Sequence, residues 1–269
     1  KCFREKSIVE QELYDFIISI LPGYNIIEND RKTLDGKELD ILIPELNIAF
    51  EMNGLIWHSE KYNDDKFYHI NKTKSCLEKG IELYHIFEDE WLLKKDICKS
   101  RIKHILKKNK NKIYARKCII SEVSIKDQRD FLNNNHIQGY VPSKFAYGLY
   151  YNSELLSVMI FGNKRISLGS KSKENEYELL RFCSKKNYNI PGAAQKLFSH
   201  FIKIHNPSVI ISYADRRWSN GKLYNKINPK FYNANHDDSD SPLSALVAGE
   251  VYFCTYDLEV DGAVIEISA

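Results

Sequence analysis

Residues 39 to 52, LDILIPELNIAFEM, restrict the possible folds of this chain more than any other stretch. Two apolar, β-branched-rich runs, Leu39–Ile43 and Asn47–Met52, flank a turn at Pro44-Glu45. That pattern predicts a hairpin. Each run carries one acid, Asp40 and Glu51, in apolar company where an unpaired charge is costly. On neighbouring strands the two carboxylates are expected to come close enough to share one cation. Hard divalent ions prefer carboxylate oxygens, and Mg²⁺ commonly keeps several waters beside one or two such ligands. The plainer alternative makes both residues strand-edge acids.

The flanks supply the other expected parts. Ser7 to Leu21 predicts a helix, with Ser7 and Glu10 in capping-box spacing and Leu13, Phe16, Ile17, Ile20 and Leu21 on the helical period. Ile26-Ile27 begins a strand that leads to a tight turn at Asp35-Gly36. After the hairpin come Asn53-Gly54 and Trp57-His58, then a helix over Phe67–Lys79, then a strand over Ile81–Phe87. Trp57 is either core or an aromatic that wedges between bases. His58 fits general-base or leaving-group work. His69, Lys72 and Lys74 are expected on the side of their helix that would face a polyanion such as DNA, as the charge pattern below suggests. Of Glu88, Asp89 and Glu90, Asp89 is the preferred holder of a catalytic water or second ion. The three acids also suit the N-terminus of the helix that follows.

Charge separates along the chain. Phe231 to Ala269 holds eight acids and no Lys or Arg, so residues 1 to 230 carry 39 bases against 28 acids, a net +11. Between Lys94 and Lys117 stand eleven bases and one acid, Asp96. Such a body suits a polyanion, and Lys103, Lys107 and Lys108 are expected to contact DNA phosphates. No apolar run of about 18 residues exists, so no membrane partner is expected. Six scattered cysteines without a C-x-x-C pair argue for free thiols and a cytoplasmic setting.

Asp40, Glu51 and Asn53, in the frame D-x10-E-x-N-G, resemble the PD-(D/E)XK nuclease core with its lysine replaced. The GLIWH piece, Gly54–His58, and the FEDEW string, Phe87–Trp91, are similar to very short patch repair endonucleases. They are more similar still to phage-type homing endonucleases with an E-D-x-H-D set of site residues. The repair enzymes differ in having a histidine where Asn53 stands and no acid equivalent to Glu51. The resemblance implies a mixed α/β fold of the restriction-endonuclease type. It also implies a magnesium-dependent endonuclease (Mn²⁺ able to substitute) that acts on double-stranded DNA in the host cytoplasm. It further implies a first-helix glutamate at the site: Glu10, with Glu12 as rival. The implied catalytic set is Glu10, Asp40, Glu51, Asn53, His58 and Asp89, with Asp40 and Glu51 as metal ligands. A mismatch or repair nicking enzyme on the same core is the competing reading.

The nuclease part is expected over residues 1 to 112, ending in the Lys107–Lys112 run. From Tyr114 a new pattern predicts strands over Lys117–Val123 and Glu176–Cys183 and a hairpin over Ala146–Ile160 turning at Asn152-Ser153. Helices are expected over Ile125–Asn135, from the NIPGAA turn to His205, and over Asn220–Ile227, with a strand over Val209–Tyr213. This order and that turn resemble the GNAT acyltransferase fold, in which a Q/R-x-x-G-x-G/A segment holds the coenzyme A pyrophosphate at a helix N-terminus. Gly192 and Ala194 match; Asn189 replaces Gln/Arg. The GNAT-like part is expected over residues 113 to 230, reused to grip DNA through Arg165, Lys171, Lys173, Arg216, Arg217 and Trp218. Acyl transfer and a purely DNA-binding module are the alternatives from other classes. Residues 231 to 269 form an acidic tail, with two strands expected around Asp261-Gly262.

Overall fold

The computed structural model describes residues 7–54, 68–163, 175–212, 215, 217–218, 231–235 and 251–255. The expected helix over 220–227, the turn at Asp261-Gly262, and Trp57, His58, Arg165, Lys171, Lys173 and Arg216 lie outside those residues. The chain is a mixed α/β protein that divides into two compact units. The first comprises residues up to Lys108 together with Arg217 and Trp218; the second starts at Asn109.

In the first unit, α1 (Ile8–Ile20) opens on Ser7, whose Oγ accepts the Glu10 amide N–H at 3.2 Å. Strands β1 (Ile27–Leu34), β2 (Lys37–Ile43) and β3 (Ile48–Asn53) then meander, joined by Asp35-Gly36 and by a 3-10 turn at Pro44–Leu46. Helix α2 (Tyr68–Glu78) crosses over to β4 (Glu82–Phe87), and α3 (Glu88–Ile105) follows without a break. The sheet order is β1-β2-β3-β4, antiparallel except for the parallel pair β3 and β4. All six residues of β3 are buried, as a central strand requires.

Burial of apolar surface holds this unit together. Leu13 and Ile17 of α1 and Trp91 of α3 are fully buried, and Phe16 meets Trp91 edge-on at 6.4 Å. Below α2 the sheet presents Leu42, Ala49 and Leu83 to Cys76. Side chains alternate along a strand, so the same face carries polar residues further along β2, β3 and β4. That change from apolar to polar on one face is what positions the site.

The second unit contains β5 (Asn111–Lys112), a 3-10 turn at Ala115–Lys117, β6 (Ile119–Glu122), α4 (Ile125–Asn135), β7 (Phe145–Tyr151) and β8 (Glu154–Asn163). It continues with β9 (Glu176–Ser184), β10 (Tyr188–Asn189), α5 (Ala193–His205), β11 (Val209–Ser212), β12 (Phe231–Asn235) and β13 (Val251–Thr255). Its main sheet runs β11-β9-β8-β7-β6, with β11 parallel to β9 and the other neighbours antiparallel. Alternation splits the core: Leu149, Met159, Phe161 and Leu179 pack with Phe198 and Phe201 of α5. Ala146, Val158, Ile160 and Leu180 pack with Phe131 and Leu132 of α4 on the other face. Asn152 and Ser153, at φ 49 and 64, make the hairpin turn. β12 and β13 pair in parallel as a separate ribbon, a pairing the acidic tail's sequence does not announce.

Candidate active site

The β2–β3 register pairs Ile41 with Phe50 and Leu42 with Ala49. One step further sets Asp40 opposite Glu51, and directly opposed residues share a face. Here the carboxylates cross the gap between the strands. The Asp40 amide donates to Glu51 Oε1 at 3.2 Å, and the Met52 amide donates to Asp40 Oδ2 at 2.8 Å. Two backbone donors are thus satisfied by the two acids.

The charge balance at this point comes from α2. Lys72 is 2% exposed, and its Nζ donates to Glu51 Oε2 at 2.6 Å. Burial, reinforced by the Asp40 charge, pushes the Glu51 carboxyl up to about 8, while Lys72 pulls it down. The two acids bring hard oxygen donors, the type that magnesium takes, to one face of the sheet beside the Lys72 ammonium. Among the described residues no group of three or more His, Cys, Asp or Glu side chains is placed to hold a metal. A closed zinc site is accordingly not what these residues build.

Lys72 is expected from sequence to face DNA as a surface cation; the structure turns it inward. The stripe His69, Lys72, Thr73 and Cys76 has helical i, i+3, i+4, i+7 spacing, and this is the signal that marks the sheet-facing side of α2. Its polar members hide that signal from a hydrophobicity reading.

A second polar layer lies beside the acids. Asn53, 1% exposed, and His85, 2% exposed, meet through Asn53 Nδ2 and His85 Nδ1 at 3.2 Å. Thr73 Oγ1 donates to the His69 carbonyl at 2.9 Å and lies 2.9 Å from His85 Nε2. A hydroxyl has one proton, so His85 Nε2–H must be the donor to Thr73, and Nδ1 the acceptor from Asn53. His69 lies edge-on to His85 at 5.4 Å. His85 and Thr73 are absent from the expected site, and a histidine within the apolar run ELYHIF is their only sequence mark.

Other expected members are placed elsewhere. Glu12 accepts from Trp91 Nε1 at 2.8 Å and from Lys95 Nζ at 2.6 Å, and the Lys95 bond holds its pKa below the usual carboxylate value. It belongs to the α1–α3 packing. Glu10 sits in the capped first turn of α1. Asp89 is exposed and its Oδ1 accepts the Glu90 amide at 2.8 Å, a helix-start role. Glu90 accepts from Arg217 at 2.9 Å and from Trp218 Nε1 at 3.3 Å. Arg217 also stacks on Phe87 at 5.0 Å, and Trp218 is 4% exposed beneath Arg101. These contacts take Arg217 and Trp218 out of the free DNA-facing set. Lys74 and Lys107 are exposed, while Lys103 lies over Phe16 and Lys108 over Tyr24.

In the second unit, Gly192 caps α5 at φ 84. The Ile113 amide donates to the Asn189 carbonyl at 3.1 Å and the Ala115 amide to the Pro191 carbonyl at 3.0 Å. The turn that resembles a pyrophosphate cradle is therefore lined by residues 111 to 117.

No helix among the described residues is long and apolar enough to cross a membrane. No protein-family model and no curated protein matches the chain. Among solved structures the chain is similar to the PaiA N-acetyltransferase of Thermoplasma acidophilum in complex with coenzyme A, at 18% identity and a TM-score of 0.29. The likeness covers 46% of this chain and 60% of that one, and at this level it carries no argument about fold or activity.

Proposed function

We propose that the first unit is the catalytic core of a magnesium-dependent endodeoxyribonuclease of the PD-(D/E)XK type. The observation that supports it is the convergence of Asp40, Glu51 and the buried ammonium of Lys72 on one face of the sheet. Asp40 and Glu51 would hold the metal. Bound there, Mg²⁺ would supply Lewis-acid stabilisation of the phosphoryl oxygens and acidify a coordinated water. Lys72 would take the part of the (D/E)XK lysine, with Asn53 at the strand position. Its ammonium would offset the charge that grows on the phosphate in the transition state. Asn53, fixed by His85, would present a rigid polar edge to the substrate, and His58 would manage the leaving-group proton. Glu10 would support the site from α1. Asp89, exposed in the first turn of α3, would hold the catalytic water or a second ion.

By resemblance, the biology is that of a phage-type homing endonuclease with a long target, working on duplex DNA in the host cytoplasm. The test is incubation with phage genomic DNA in Mg²⁺ or in EDTA, followed by mapping of the ends. Discrete cuts in Mg²⁺ alone support the reading. Cutting confined to mispaired duplex assigns the repair-nicking alternative instead. A second reading, GNAT-type acyl transfer, is favoured by the turn at Pro191-Gly192 that opens α5 between the parallel strands β9 and β11. Calorimetry with acetyl-CoA separates the two: heat of binding supports acyl transfer, and its absence removes it.

A further inference from the structure

The segment from Lys112 to Lys117 reads Lys-Ile-Tyr-Ala-Arg-Lys and alternates like a strand. Ala115 is buried in the core beside α5 and Ile113 packs against that core. Lys112, Tyr114, Arg116 and Lys117 are exposed. The backbone is pinned from three sides. β5 pairs in parallel with β10, the Ala115 amide bonds to Pro191, and Lys196 Nζ donates to the carbonyls of Ala115 and Cys118 at 3.0 and 2.6 Å. The Tyr114 ring, 41% exposed, carries the Lys112 ammonium at 4.9 Å and the Arg116 guanidinium at 5.1 Å from its centroid.

Two cations held against one ring repel each other, and an anion nearby would offset that cost. Elsewhere the chain supplies one: Lys79 pairs with Asp35, Lys95 with Glu12, Lys185 with Glu154 and Arg217 with Glu90. Among the described residues, no carboxylate pairs with Lys112, Arg116 or Lys117. Residues 109 to 121 and 179 to 212 contain no Asp or Glu, and the β5–β10 pairing lays these two acid-free stretches side by side. Among the described residues this one-signed strip is left without an anion.

We propose that Lys112, Tyr114, Arg116 and Lys117 form a contact surface for the phosphate backbone of double-stranded DNA. Cations held by a short strand and the 3-10 turn that follows it suit contact with phosphates, and a tyrosine between them adds a hydroxyl donor. The choice of DNA rests on the nuclease reading; the anionic partner does not.

The test is equilibrium binding of a fluorescent duplex by the full chain in EDTA, at several salt concentrations, so that no cutting intervenes. Lys112→Gln with Arg116→Gln removes two exposed charges with little effect on folding. Each lost phosphate contact makes the plot of log affinity against log salt less steep by about 0.9, so the double variant should lose about 1.8 and bind roughly tenfold more weakly. Lys185→Gln, whose partner is Glu154, should leave the slope as in the wild type. An unchanged slope in the double variant overturns the surface, as does an equal change in Lys185→Gln. A change seen with double-stranded RNA and not with DNA also overturns it. Failure of the wild type to bind any duplex overturns this proposal and the DNA reading together, whereas binding with an unaltered slope overturns the surface alone.

Discussion

Replacing Lys72 with Met tests the electrostatics of the site without any substrate. The ion pair is 3% and 8% exposed on its two side chains, so solvent screens it little. Burial and Asp40 push the Glu51 carboxyl up to about 8, and Lys72 is the main force pulling it down. The sign follows from proton counts. The folded state keeps a proton on Glu51 that the unfolded state releases, so wild-type stability falls as pH rises from the ordinary carboxylate range through about 8, and then levels. In Lys72→Met the carboxyl titrates higher, and the fall continues. The variant should therefore lie closest to the wild type at the low-pH end of the series. Above pH 8 the difference should grow by about 1.4 kcal/mol per pH unit, reaching roughly 2 kcal/mol near pH 9.5. Its ceiling is the ~3–5 kcal/mol of a broken buried pair. Urea denaturation in EDTA, followed by tryptophan fluorescence, reports this directly, because Trp91 and Trp218 belong to the first unit. A stability difference that is constant from neutral to alkaline pH refutes the reasoning.

Two further predictions follow from the same geometry. Glu51→Gln should flatten the pH dependence of wild-type stability between the ordinary carboxylate range and about 8, measured by the same denaturation series. A slope equal to that of the wild type would place the titration elsewhere. Thr73→Val keeps shape but leaves the buried His85 Nε2–H without its acceptor, and should cost about 1–3 kcal/mol in urea denaturation. A loss no larger than that of a surface substitution would remove Thr73 from the relay.

Local chemistry made much of the fold legible. Ser7, the 3.6-residue period of Leu13 and Ile17, the Asp35-Gly36 turn and the Asn152-Ser153 hairpin each act within a few residues, and each element forms where they indicate. The Asp40–Glu51 opposition was readable for the same reason: one short turn sets the register of the strands that carry them. The α3 helix starts at Glu88, because the three acids favour a helix N-terminus and form its first turn. What local pattern could not reveal depends on distant segments. Lys72 faces inward because β3 and β4 pair in parallel and α2 must cover them, and no helical propensity of NKTKSC encodes that. Glu12 and Glu10 look interchangeable until Trp91 and Lys95, about 80 positions later, claim one of them. Glu90 likewise finds Arg217 and Trp218 from far along the chain.

The decisive measurement is plasmid and phage DNA cleavage by the wild type and Asp40→Asn in parallel, with duplex affinity determined in EDTA. Cleavage that requires Mg²⁺, disappears in Asp40→Asn and leaves affinity within a few-fold is the result expected of two carboxylates sharing one ion. Cleavage by Asp40→Asn at the wild-type rate, or no cleavage by the wild type with any divalent ion, contradicts it.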